Sequence, residues 1–140
     1  MGTQPYGSTM KIGVTGTREG ATEYQLTELR SVLAELQGTE FHHGDCVGVD
    51  AQAAAVAQEL GYQIVCHPPE SYDFRAYFPS DIMKAPAGYL ERDRAIVNAC
   101  DVLLVLPLQM EWQPKGGTWY TYDYAKHRNK PFSIIWPEPI

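Results

Sequence analysis

Positive charge is in short supply: Lys and Arg number 11 against 17 Asp and Glu, for a formal net charge of −6. A chain with that balance lacks the basic track on which non-specific nucleic-acid or acidic-membrane binding depends. Cysteine is scarcer still. Cys46, Cys66 and Cys100 are an odd number and form no CxxC pair, so neither a disulfide framework nor a zinc or other metal site is implied. Long apolar runs are missing as well. The longest, Val102 to Leu108, holds seven residues, against the roughly 20 that a membrane span requires. The first residues show no charged-then-apolar leader pattern, so no export signal is expected and the cytoplasm is the expected location.

What is present is ordinary for a globular protein. The 140 residues are 44% hydrophobic and 20% charged, which suits one domain able to bury about two-thirds of its surface. Residues 1–9 are polar and rich in Gly, Ser and Thr and read as a flexible tail; residues 10–140 read as the single domain. Residues 1–60 carry only Lys11, Arg18 and Arg30 against eight acidic residues. Cationic help for an anionic ligand therefore comes mainly from the second half, with Arg18 the exception.

Hydrophobic patterning alternates strand and helix. Lys11–Thr15, Phe41–His43, Tyr62–Cys66, Asp101–Leu106 and Phe132–Trp136 read as five strands. Between them, Thr22–Gln25 fits a capping box opening a helix to Gly38. Asp50–Leu60 is alanine-rich with Gly61 at its end, and Gly88–Ala99 and Thr118–Arg128 complete four helices. Near-continuous apolar strands are expected of a parallel sheet covered on both faces. The fold class is thus α/β: a Rossmann-like, doubly wound sheet of about five strands in the order 3-2-1-4-5, in three α/β/α layers. Ligands in such sheets sit beyond the strand carboxyl ends at the switch point, here between strands 1 and 4.

Strand 1 runs into Gly16-Thr17-Arg18, a turn, a hydroxyl and a charged fork suited to phosphate, although a glycine that only turns the chain reads the same way. There is no GxGxxG and no Walker A lysine. Strand 2 runs into Gly44-Asp45-Cys46-Val47-Gly48-Val49-Asp50. Asp50 is expected as the helix N-cap and Asp45 as an acceptor of ribose hydroxyls; Cys46, His42 and His43 read as structural rather than nucleophile or ligands. Strand 4 leads to Lys115-Gly116-Gly117-Thr118 at a helix start, the sharpest phosphate-nest signal in the chain. Trp119, Tyr120, Tyr122 and Tyr124 give that helix aromatic weight, part core and part contact for a homodimer or higher homo-oligomer. His67–Ala87, with Tyr72, Phe74, Tyr77 and Phe78, is long enough to be a lid or binding loop.

Taken together, these motifs resemble the SLOG superfamily, the Rossmann-like group of the DprA/Smf proteins and the LOG phosphoribohydrolases. Gly44–Asp50 followed by Ala51 is similar to the family's G-G-A-x-G-x-D-A turn, and Arg92-Asp93-Arg94-Ala95-Ile96-Val97 to its R-N-x-x-I-V helix. Asp101–Pro107 is similar to its A-D-x-x-x-x-x-P strand, and Gly116-Gly117-Thr118 with Ala125 and Lys130-Pro131 to its G-G-T…A…K-P ending. The likeness runs from Lys11 to Pro137 and is nearest to small, single-domain, YpsA-like members. It implies binding of a nucleotide or nucleotide-derived small molecule, through Gly16, Thr17, Arg18, Gly44, Asp45, Gly48, Asp50, Arg92, Gly116, Gly117 and Thr118, with no cofactor.

Two alternatives accompany that expectation. One is N-glycosidic hydrolysis of nucleoside monophosphates, as in the LOG enzymes, whose motifs are E-R-K and P-G-G-x-G-T-x-x-E. Glu91-Arg92 fits the first, with Arg92 as an anion or ribose contact. The second is broken: Pro107 stands apart from Gly116-Gly117, and Thr121 takes the place of the glutamate. That carboxylate stabilises the charge developing on ribose, so little base release is expected unless Asp123, Glu111 or Asp93 substitutes in space. Catalytic residues stay unassigned, with Arg92 and Asp123 as candidates. The other alternative is a non-catalytic nucleotide-sensing or assembly module.

Overall fold

The computed structural model describes residues 9–140, so the expected tail lies outside the described residues except for its last position. The chain alternates β1 (Lys11–Gly16), α1 (Glu23–Leu36), β2 (Glu40–His43), α2 (Val49–Glu59), β3 (Gln63–Cys66), β4 (Ile82–Met83), α3 (Tyr89–Ala99), β5 (Val102–Leu106), α4 (Gly117–His127) and β6 (Phe132–Ile134). All pairings are parallel, and the order across the sheet is β4-β3-β2-β1-β5-β6. The expected 3-2-1-4-5 order is therefore present, with one correction. Among the described residues the sheet has six strands, because residues 67–87 fold back and lay β4 against Val65 and Cys66.

Alternation along the strands builds the two covering layers. Ile12, Val14, Leu104 and Leu106 face a cluster with Leu29 and Leu33 of α1 and Val49, Ala53 and Ala57 of α2. Leu103 and Val105 face the other way, toward Ile96, Val97 and Cys100 beneath α3 and Ala125 of α4. Period-2 side chains with both faces apolar are what a sheet between two helix layers demands.

Helix ends follow local chemistry. Thr22 caps α1: its hydroxyl accepts the Gln25 N–H, and the Gln25 side chain returns the bond to the Thr22 N–H. At the other end Gln37, not Gly38, takes the left-handed conformation (φ 49°), because Gly38 is pinned under the Tyr62 ring, whose hydroxyl accepts its N–H. The N-cap of α2 is Gly48, which corrects the expectation for Asp50. Gly48 has φ +88°, and a Cβ there would lie 2.5 Å from the Thr17 carbonyl oxygen. Only glycine fits, so the helix begins two residues earlier than an Asp50 cap would start it, and Asp50 falls in its first turn.

Candidate functional site

The carboxyl ends of β1 and β5 lie side by side, and the connections leaving them go to opposite layers. Between these connections opens a cleft of about 810 Å³, at the place where doubly wound sheets hold ligands. Its walls are Gly16, Thr17 and Arg18 after β1, Cys46 and Asp50 after β2, Asp73 and Phe74 from the long loop, Tyr89, Leu90, Arg92 and Asp93 of α3, and Lys115–Thr118 at the start of α4.

The first two turns are pressed together. A Cβ on Gly16 would lie 2.3 Å from the Val49 side chain, and the Val49 N–H bonds the Thr17 carbonyl at 3.0 Å. Asp50 holds the second turn from inside: Oδ2 accepts the N–H groups of Gly44 (3.0 Å) and Cys46 (3.4 Å). Burial pushes its carboxyl up to about 6 and the neighbouring Cys46 thiol up to about 11, which leaves the thiol protonated and poorly nucleophilic.

Arg92 latches α3 to the turn after β2. Its Nε donates to Asp93 Oδ1 at 2.8 Å, Nη1 donates to the Gly44 carbonyl, and Nη2 lies 3.8 Å from Cys46 Sγ. Three of its N–H groups are thereby engaged within the protein, and its charge is balanced by Asp93. Burial raises the Asp93 carboxyl against the opposing pull of Arg92.

Facing this floor is the N-terminus of α4. Its N-cap, Gly116, has φ +97° and gives no side-chain cap, so the first-turn N–H groups remain available to an anion. The left-handed residue is Gly116; Gly117 already belongs to the helix. Two cations flank the opening. Arg18 lies over the Phe74 ring with its guanidinium carbon 4.1 Å from the centroid, and neither it nor Lys115 has an ion-pair partner among the described residues.

The structure thus gathers Gly16, Thr17, Arg18, Asp50, Arg92, Gly116, Gly117 and Thr118 around one cleft. It places the others elsewhere. Gly44 sits behind the Arg92 guanidinium and Gly48 behind the first turn. Asp45 is fully buried, and its carboxylate accepts from Arg75 Nε and the Phe78 N–H, both at 2.9 Å. That corrects the ribose assignment: Asp45 is out of reach of the cleft, and both of its oxygens are engaged by the long loop. Asp123 lies in a smaller recess that adjoins the cleft across Leu90, Gly116 and Gly117, and accepts the Trp112 indole N–H at 2.9 Å, while Glu111 lines neither. Asp93, by contrast, reaches beneath Gly117, where a Cβ would lie 3.7 Å from Oδ2. Sequence reasoning does not single out Phe74 or Tyr89 as walls of the cleft. The aromatic loop signals the first, and nothing signals the second.

His43, Asp45 and Cys66 bring potential metal-ligand atoms within 4.8 Å of one another. Two of the three already have partners: His43 Nδ1 accepts the Asp45 N–H, its Nε2 meets Ser80 Oγ, and Asp45 is held by Arg75. A cation would displace these bonds beside a guanidinium. Among the described residues, no helix is long and apolar enough to cross a membrane.

No family model and no curated protein matches the chain. Solved structures do. A molybdenum cofactor binding protein from Rippkaea orientalis superposes with a TM-score of 0.69 at 20% identity, over 96% of this chain and 80% of that one. The molybdenum cofactor carrier protein of Chlamydomonas reinhardtii gives 0.64 at 25%, over 90% and 76%. The DNA processing protein DprA of Streptococcus pneumoniae gives 0.66 at 16%, over 89% of this chain and 50% of that one. The chain has the SLOG fold. Within the SLOG fold the cleft described above is the end of the sheet where β1, β5 and the α4 N-terminus meet.

Proposed function

We propose that this SLOG-fold protein binds a phosphorylated small molecule of the nucleotide or nucleotide-derived class, with the phosphate at the α4 N-terminus between Arg18 and Lys115. One observation carries the reading: an uncapped helix end and two cations without ion-pair partners face the same cleft. The first-turn amides supply directed hydrogen bonds, the helix dipole adds its end charge, and Arg92 neutralises the nearest carboxylate. Phe74 and Tyr89 provide aromatic surface for a planar ring. Two of the three structures named above, which bind or carry molybdenum cofactor, agree with a small-molecule cleft; the third is a DNA processing protein.

A panel of mono-, di- and cyclic nucleotides tests this by thermal melting. A ligand at 100 times its Kd adds about 2.7 kcal/mol, and Lys115→Ala and Gly117→Val remove the shift while the proteins stay folded. A panel that moves no melting temperature overturns the reading.

A second reading, N-glycosidic hydrolysis, is favoured by the position of Asp93. The family's glutamate is replaced by Thr121, whose hydroxyl bonds the Gly117 carbonyl. Asp93 brings a carboxylate from α3 to the underside of the same turn, where it would stabilise positive charge developing on a ribose. Base release from nucleoside monophosphates that disappears in Asp93→Asn would promote this reading; the absence of release removes it.

A further inference from the structure

The floor of the cleft holds a polar atom that a phosphate does not satisfy. Asp50 is 7% exposed and lines the cleft. Its Oδ2 is clamped by two backbone N–H groups, and Oδ1 has no hydrogen-bond partner among the described residues. A buried acceptor without a partner is costly, and the clamp stops the carboxylate from turning away to find one. An anion cannot serve, because like charges repel. A metal cation would find little more than this one oxygen, because Asp50 Oδ2 is held by two backbone N–H groups and Asp93 Oδ1 by Arg92. What suits Oδ1 is an uncharged donor.

We infer that Asp50 is a specificity residue: its Oδ1 accepts a hydrogen bond from an uncharged N–H or O–H group of the ligand, so the cleft selects phosphate esters that carry such a donor away from the phosphate. This rests on the phosphate reading above. The donor has two chemical sources, the amino edge of a heterocycle such as guanine or a sugar hydroxyl.

Asp50→Asn separates them. The asparagine oxygen keeps the Gly44 and Cys46 bonds, and the free atom becomes an NH2 donor. Affinities of guanosine, GMP, XMP and 2′,3′-dideoxy-GMP are measured by calorimetry at pH 8, above the value of about 6 to which burial raises Asp50. For an amino edge, the parent prefers GMP to XMP by about 10-fold or more, the size of one hydrogen bond to a charged group, and the variant reverses the preference. For a hydroxyl, the parent binds dideoxy-GMP about 10-fold more weakly than GMP, and the variant narrows that gap. Parent and variant binding all four equally overturns the inference and leaves the phosphate reading standing. Guanosine binding as tightly as GMP breaks the phosphate reading and leaves Asp50 to be judged on the remaining pairs; no binding by any of the four overturns the inference, and the phosphate reading is then decided by the wider nucleotide panel. If the variant does not fold, the parent decides alone: a parent that separates neither pair overturns the inference.

Discussion

Two buried polar clusters lie at the carboxyl end of the same sheet, and they differ in one respect. In the first, under the long loop, both oxygens of the buried carboxylate, Asp45, have partners. His42 Nδ1 meets His67 Nε2 at 2.8 Å, His42 Nε2 meets Glu40 at 2.8 Å, and Asp45 ties Arg75, Phe78 and His43 together. The second, in the cleft floor, is open: Asp50 keeps an unpartnered oxygen, and Arg92 and Asp93 face the cavity. A saturated cluster rigidifies a fold, whereas an unsaturated one is maintained at a cost that a ligand can offset. Polarity and burial alone do not tell a site from a brace. Saturation does.

The largest expected effect comes from breaking the first cluster. Asp45→Ala leaves the Arg75 guanidinium, 13% exposed at its side chain, without its partner, a change that typically costs about 3–5 kcal/mol. Urea denaturation should show that loss, with ligand affinity unchanged under conditions where the variant is folded. A comparable loss of affinity would mean that the long loop and the cleft are one unit.

Acid should set the two clusters against each other. Burial lowers His67 to about 3 and His43 to about 4, and lowers His42 as well. The unfolded chain then binds more protons than the folded one below about pH 6.5, so stability falls with acidification by about 2 kcal/mol for His67 or His43 at pH 5. Asp50 has the opposite sign. Its folded value of about 6 lies above 3.8, so it destabilises above about pH 6, and that penalty fades as pH falls toward 4. Urea midpoints from pH 7 to 5 should therefore drop in the parent and drop more steeply in Asp50→Asn. A flat profile in both would mean that the histidines are not neutral and buried in solution.

The smallest effect on the fold should come from the α4 turn. Gly117 does not have positive φ, and a Cβ there meets only Asp93 at ordinary contact distance. Gly117→Val should cost about 1–3 kcal/mol while removing nucleotide binding, read by circular dichroism and calorimetry. Unchanged affinity would move the phosphate toward Gly16-Thr17-Arg18.

Strand order is legible in the sequence because apolar runs and helix signals are local, and the right-handed parallel arrangement leaves few topologies. The capping box of α1 is legible for the same reason. Asp50 and Asp45 are not. Which of two aspartates in one turn braces the backbone depends on Thr17 crowding Gly48, and which one is saturated depends on Arg75 and Phe78, some 30 residues on. The motif Glu91–Arg94 points to a charged cleft wall but not to the pairing of Arg92 with its own neighbour Asp93. The proximity of Asp93 to Gly117 is a tertiary contact with no trace in spacing.

The two-residue strand β4 has a consequence for assembly. Exposed strand edges invite pairing with other chains. On one side of this sheet the last strand is Ile82–Met83, and Lys84 and then Pro86 follow it closely. On the other it is Phe132–Ile134, bounded by Pro131 and Pro137. Short, proline-flanked margins give an incoming strand almost nothing to zip onto, so the sheet resists growth into fibrils or edge-to-edge pairs from either end.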